Sequence, residues 1–162
     1  MSASAYACCY DASALAKLYL PEPGSDIERG FWNGHSTKYA TPFCVYETLT
    51  ILKVAYVQRR LLTKDEYLEA SVSLAAWASA SSRHLNEPDL LTPEVFMATR
   101  KLAATYDLDL SDAFQLYSVK FGFFSVLTKD SRTLLVSADA GLVNAARMEG
   151  LRAWNVMKEA AP

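Results

Sequence analysis

Acidic residues at the seam between an apolar run and a helix are where this sequence could do chemistry. Asp11 follows the apolar start of "YACCYDASALAKLYL" (Tyr6 to Leu20), and Asp139 follows a second apolar run in "LLVSADAGL". Asp112 lies on the first turn of another helical stretch, "LDLSDAFQLYSVKFG". Each alone is most simply an N-terminal charge that favours the helix macrodipole. Glu47 is harder to dismiss. On a helix it shares a face with Phe43, Ile51 and Val54, while Lys53 lies off that face. A carboxylate inside an apolar stripe is costly unless it is paired, protonated or bound to a cation. A metal site accounts for it; a Glu47 that escapes at the rim of the stripe needs none. Four carboxylates with no histidine or cysteine among them suit a hard, oxygen-preferring ion, Mg²⁺ or Mn²⁺ rather than zinc. Such ions pair readily with phosphates, which points to phosphodiester chemistry.

The elements that must position these acids follow from punctuation and periodicity. A strand from Ala5 to Tyr10 runs into a helix from Ala12 to Leu20, which "PEPGS" ends. Ser25 and Glu28 have capping-box spacing, which predicts a short helix from Asp26 to Trp32. "KYATP" (Lys38 to Pro42) is a short second strand, and apolar residues at helical spacing give a helix from Phe43 to Leu62. A second capping box, Thr63 with Glu66, opens a helix to about Arg83. A third strand is placed around Leu90, after which Thr92 and Pro93 start a helix to about Tyr106. Ser111 is read as the cap of the next helix, which Gly122 stops. Two apolar runs, "FFSVLT" and "TLLVS", precede a last helix ending at Gly150 and a closing strand, "LRAWNV". Strands alternating with helices argue an α/β fold with a mostly parallel sheet. In such sheets ligands bind outside the carboxyl ends of the strands, so acids at those ends belong together.

Composition narrows the classes. At 162 residues and 51% hydrophobic, the chain fits one domain covering residues 1–162. No run approaches the ~20 apolar residues of a membrane span, and the start lacks the pattern of a signal peptide, so a cytoplasmic protein with no membrane partner is expected. Three cysteines, two of them adjacent, imply no disulfide framework, and His35 and His84 are too isolated to read as zinc ligands. A net charge of −2 gives no whole-protein attraction to nucleic acid. The basic pairs in "VQRR" and at Arg100–Lys101 read as exposed helix faces. Tyr46, Tyr56, Trp77 and Phe96 sit on helices that must bury or share apolar surface.

Taken in order, the acids resemble the quartet of PIN-domain ribonucleases, particularly the toxin of VapBC-type toxin–antitoxin pairs. "YDASALAKLYLPEPGS" resembles the first motif of that family, with Asp11 as its acid and Ser13 following. "ETLTIL" resembles the helix with the family's glutamate, here Glu47, and "LDLSDAFQLYS" the third motif, with Asp112. "LLVSADAGLVNAARMEGLRAWN" resembles the fourth, with Ser137 and Asp139 in its [T/S]-x-D pattern. The resemblance spans nearly the whole chain. It implies a three-layer α/β/α sandwich and an endoribonuclease in which Asp11, Glu47, Asp112 and Asp139 hold Mg²⁺ or Mn²⁺. It also implies that Ser13 and Ser137 orient the acids, that RNA is the substrate, that the protein forms a homodimer, and that a cognate antitoxin inhibits it. Two other readings compete: a PIN-like module that binds RNA or protein without cleaving, and a HAD-like phosphatase. The phosphatase wants a second acid two residues after the first, where this chain has Ser13.

One segment departs from the shortest members of that family. "FFSVLTKDSRTL" (Phe123 to Leu134) reads as an extended arm or hairpin and contains a second T-x-D, ending at Asp130. Asp139 is preferred because a helix of the family's character follows it, whereas "KDSR" reads as a turn. Asp139→Asn is therefore expected to abolish RNA cleavage and Asp130→Asn to leave it nearly intact; the reverse pattern in a cleavage assay would place the acid at Asp130 and overturn the reading of this segment as an arm.

Overall fold

Successive residues of a strand face opposite sides of a sheet, and along the runs Ala7–Tyr10 and Thr133–Ser137 nearly every position is buried, as a sheet covered on both faces requires. The computed structural model describes residues 7–34, 36–81, 87–122, 125 and 133–162. Among these, four strands, β1 (Ala7–Tyr10), β2 (Thr37–Tyr39), β3 (Thr133–Ser137) and β4 (Arg152–Asn155), pair in the order β2-β1-β3-β4. All three pairings are parallel. The helices are α1 (Ala12–Lys17), α2 (Ser25–Trp32), α3 (Pro42–Val57), α4 (Lys64–Ser81), α5 (Pro93–Tyr106), α6 (Leu110–Phe121) and α7 (Ala140–Met148).

The alternation builds two cores. Cys8, Tyr10, Leu134, Val136 and Trp154 project to one face and pack with α1 to α4. Cys9, Leu135 and Ala153 project to the other, against Leu102 of α5, Leu116 of α6 and Leu142 and Ala146 of α7. The result is a three-layer α/β/α sandwich. It also separates the adjacent cysteines into different cores, and all three cysteines are free and buried. Strand order reverses at β1, whose two neighbours are β2 on one side and β3 on the other. The carboxyl ends of β1 and β3 therefore form the crevice at a topological switch point. Tyr10 pairs with Val136, and the Asp11 N–H donates to the Val136 carbonyl at 2.9 Å, so the pairing continues one residue past the strand.

Several local readings are corrected. No strand forms at Leu90. The Asp89 side chain accepts from the Leu91 N–H (2.9 Å) and its carbonyl from the Thr92 N–H (3.0 Å), a turn that competes with extension. The capping box at Ser25 and Glu28 is absent: Gly24, at φ 85°, caps α2, and the Ser25 hydroxyl donates instead to the Leu20 carbonyl at 2.7 Å. Gly24 suits a position that L side chains adopt with strain. Ser111 lies inside α6, which Asp109 caps. The helix expected to reach Leu62 ends at Val57, and Arg60 takes the left-handed region at φ 51°. Thr63 and Glu66 do form a capping box, the Thr63 N–H donating to Glu66 at 2.7 Å and the Glu66 N–H to Thr63 at 3.2 Å. Thr133 and Leu134, read as the end of an arm, begin β3. Asp130, His35 and His84 lie outside the described residues, as does most of the remaining arm. No helix among the described residues is long and apolar enough to cross a membrane. Of the helix aromatics, Trp77 packs edge-on against Trp32 and Tyr56 stacks on Tyr67, whereas Tyr46 and Phe96 are exposed.

Glu28 is an unusual occupant of the first core. It is fully buried, neither carboxyl oxygen has a hydrogen bond of good geometry, and the neighbouring Tyr10 hydroxyl is equally unsatisfied. Burial pushes its pKa up to about 8, against smaller opposing contributions from Tyr10 and Lys17. A carboxyl raised in the fold binds more protons there than in the unfolded chain. Its contribution to stability is thus complete below the ordinary 4.5 and is lost as pH rises toward 8. Glu28→Gln cannot ionise. Relative to wild type, the variant is expected to gain about 2 kcal/mol or more between roughly pH 5 and pH 8.5, ~4–8 °C in thermal melts. A difference independent of pH would show that Glu28 is not buried in its neutral form.

Candidate active site

At the crevice between β1 and β3 two hydroxyls tie the strand ends together through one carboxylate. Asp11 is buried and caps α1. Its Oδ2 accepts from the Ser13 hydroxyl (2.5 Å), the Ser137 hydroxyl (3.0 Å) and the Ser13 N–H (3.3 Å). The Ser13 oxygen in turn accepts from the Ala138 N–H (3.0 Å), and the Ser137 oxygen from the Asp139 N–H (2.9 Å). Asp139 caps α7, its Oδ1 accepting from the Leu142 N–H at 2.8 Å. Each acid at a strand end thus spends oxygen lone pairs on starting a helix, the ordinary use of an N-cap aspartate.

The other two acids come from α3 and α6. The fully buried residues of α3 are Cys44, Thr48, Leu52 and Ala55. Glu47 lies beside that row with Phe43, Ile51 and Val54, all half-buried, so it occupies the rim and not the inside of the apolar stripe. The Ser111 hydroxyl of α6 donates to Glu47 Oε1 at 2.7 Å. Carboxylate oxygens of Asp11 and Glu47 and the Cys44 sulfur lie within 4.8 Å of one another. Asp112 and Asp139 stand outside that tight group. Asp112 sits on the first turn of α6 and donates its N–H to Asp109 Oδ1 at 2.8 Å. α5 stops at Asp107 in the left-handed region (φ 54°), two residues before the Asp109 cap, which makes this helix-to-helix connection short.

Charge connects all of them. Burial, then the repulsion of Asp11, Asp109, Asp139 and Glu47, raises the Asp112 pKa from 3.8 to about 7. Burial raises Glu47 against the Ser111 hydrogen bond, and Asp11 and Asp109 push it further. Burial also raises Asp11, opposed by the hydrogen bonds from Ser13 and Ser137. Carboxyls that hinder one another's ionisation are suited to a cation, which removes the repulsion. The neighbouring thiol does not change the class of ion. Burial and then Asp11 raise Cys44 well above the ordinary thiol value, and the S–H donates to Gln115 Oε1 at 3.0 Å. The donors on offer are carboxylate oxygens, which fit Mg²⁺ or Mn²⁺.

Two members were not singled out from sequence. Asp109 stands three residues before Asp112, the N-cap spacing, and two before the Ser111 read as the cap. Cys44 precedes Glu47 by three residues, one helical turn, but an isolated cysteine carries no signal of its own.

No protein-family profile and no curated protein matches the sequence. The fold does have relatives among solved structures. FitAcB from Neisseria gonorrhoeae superposes with a TM-score of 0.60 at 13% identity, covering 94% of this chain and 99% of that one. PAE2754 from Pyrobaculum aerophilum superposes with a TM-score of 0.55 at 21% identity, covering 92% and 91%. At such identities the likeness is one of fold, and the fold is PIN-like.

Without metal, the Asp112 carboxyl adds stability in full below 3.8, and this is lost as pH rises through about 7. Asp112→Asn is expected to melt ~2–4 °C above wild type in EDTA at pH 8, with the difference closing near pH 4. Mg²⁺ should raise the wild-type melting temperature more than that of the variant. Equal responses in both proteins would remove Asp112 from the charge cluster.

Proposed function

We propose that the protein is a Mg²⁺- or Mn²⁺-dependent endoribonuclease and the toxin of a VapBC-type pair. The observation that carries this reading is the crowding of Asp11, Glu47 and Asp112, with Asp139 acting on Asp112, at the switch point of a PIN-like sheet. Asp11, Glu47, Asp112 and Asp139 would hold the ion. Once bound, a divalent cation at this place supplies charge neutralisation for a phosphodiester and lowers the pKa of an attacking water.

The remaining roles belong to the chain itself. Ser13 and Ser137 donate hydrogen bonds to Asp11, which favours its ionised, accepting form and fixes its orientation. Ser111 does the same for Glu47 from the neighbouring helix. Uncompensated, these acids would repel a polyanion, so RNA binding and cleavage share one dependence on the cation. Exposed apolar side chains on α3 to α5, among them Tyr46, Val72 and Met97, offer surface for the proposed homodimer and antitoxin contacts. The competing module that binds without cleaving shares the fold and differs only in turnover.

Incubation with a generic single-stranded RNA decides between them. Cleavage is expected with Mg²⁺ or Mn²⁺, is expected to stop in EDTA, and should fall at least ~100-fold in Glu47→Gln. Undiminished cleavage in excess EDTA overturns the metal reading, and RNA binding without cleavage selects the inactive module.

A further inference from the structure

Gln115 is almost fully buried in α6, three residues after Asp112, and its amide reaches each of the elements that carry the other two central acids. Its Oε1 accepts from the Cys44 S–H at 3.0 Å and the Thr41 hydroxyl at 3.4 Å, at the start of α3. Its Nε2 donates to the Tyr10 carbonyl at 3.4 Å and the Cys9 sulfur at 3.6 Å, at the end of β1. The Tyr10 carbonyl is only an acceptor, which fixes the orientation of the amide. Three of the four are 3.4 Å or longer and the fourth has a thiol donor, so each is weak alone, but together they use both ends of a buried amide across three elements. On each of the three elements the amide is anchored near an acid: Tyr10 directly precedes Asp11, Cys44 lies one turn before Glu47, and Gln115 itself lies one turn after Asp112.

We propose that Gln115 is a positioning residue that sets the mutual spacing of Asp11, Glu47 and Asp112. The inference rests on the metal-site reading above and deepens it. The direct links between these elements at the rim, such as Ser111 to Glu47, join pairs; the Gln115 amide joins all three from below. Thr41 has a double role, because its hydroxyl also accepts from the Cys44 N–H at 3.3 Å and caps α3. An apolar side chain of similar length at position 115 could fill the space, yet it would leave α3, α6 and β1 free to settle at separations set by packing alone. Metal sites tolerate such drift poorly, since groups behind the ligands affect affinity about 10–100-fold.

The test measures the Mn²⁺ dissociation constant by electron paramagnetic resonance of the free ion. It compares wild type, Gln115→Met, Thr41→Val, Thr41→Ser and an Asp11→Asn control, each below its melting temperature. Wild type should bind and Asp11→Asn should not. Gln115→Met is expected to weaken binding about tenfold, Thr41→Val to weaken it in the same direction, and Thr41→Ser, which keeps the hydroxyl, to stay near wild type. A residue that only fills the core would lower the melting temperature and leave the dissociation constant unchanged. That outcome in Gln115→Met, with wild type binding and Asp11→Asn not, overturns the positioning role and spares the metal site. If Gln115→Met does not fold, the Thr41 pair decides: equal Mn²⁺ affinities for Val and Ser overturn the role. Absence of Mn²⁺ binding by wild type overturns the site and this inference together.

Discussion

The parallel pairing of β1 with β3 is the constraint on which the rest of this protein depends. These strands are far apart in sequence, and a slip of one residue would send Cys8 and Tyr10, or else Leu134 and Val136, into the wrong core. The side-chain alternation therefore specifies the register strongly. That same register sets Asp11 beside Ser137, where one carboxylate can accept from hydroxyls on both sides of the crevice. The packing preference of apolar residues well inside the sheet thus decides the distance between polar groups at its edge.

Concentrating acids at that edge carries a cost, and the fold limits it by giving several of them a second task. Asp11, Asp109 and Asp139 each cap a helix. Helix N-termini are electropositive, so these are places where negative charge is most easily tolerated. Glu47 caps nothing and has only the Ser111 hydroxyl, and Asp112, on the first turn of α6 but not its cap, is raised by burial and by its acidic neighbours to a pKa near 7. The strain of the arrangement is electrostatic.

Residues with only one stable use were legible in the sequence. The apolar runs around Cys8 and Leu135 could be little but buried strands, Thr63 with Glu66 formed the expected capping box, and Gly122 ended α6. Residues with several uses misled. Ser25 and Ser111 lie near helix starts, where spacing alone does not separate a cap from a side chain one turn in; one bonds a preceding carbonyl and the other reaches Glu47. Leu90 looked extended because turn formation by Asp89 depends on a local hydrogen bond that hydrophobic patterning ignores. Gln115 was invisible for a different reason. In "DAFQLY" it is an ordinary polar helix residue, and its burial exists only once three elements meet around it.

The capping aspartates have a genetic corollary. Asparagine caps a helix about as well as aspartate, and a single base change converts one codon into the other. At Asp11 and Asp139 such a change removes a charge from the crevice while the oxygen that starts the helix remains. If these acids hold the ion as proposed, loss of activity at these positions is mutationally close and structurally cheap, whereas changes at Tyr10 or Leu135 disturb a core. Under the proposed toxin role, silenced alleles would accumulate first at the caps, as folded copies able to compete with intact ones for the same partners.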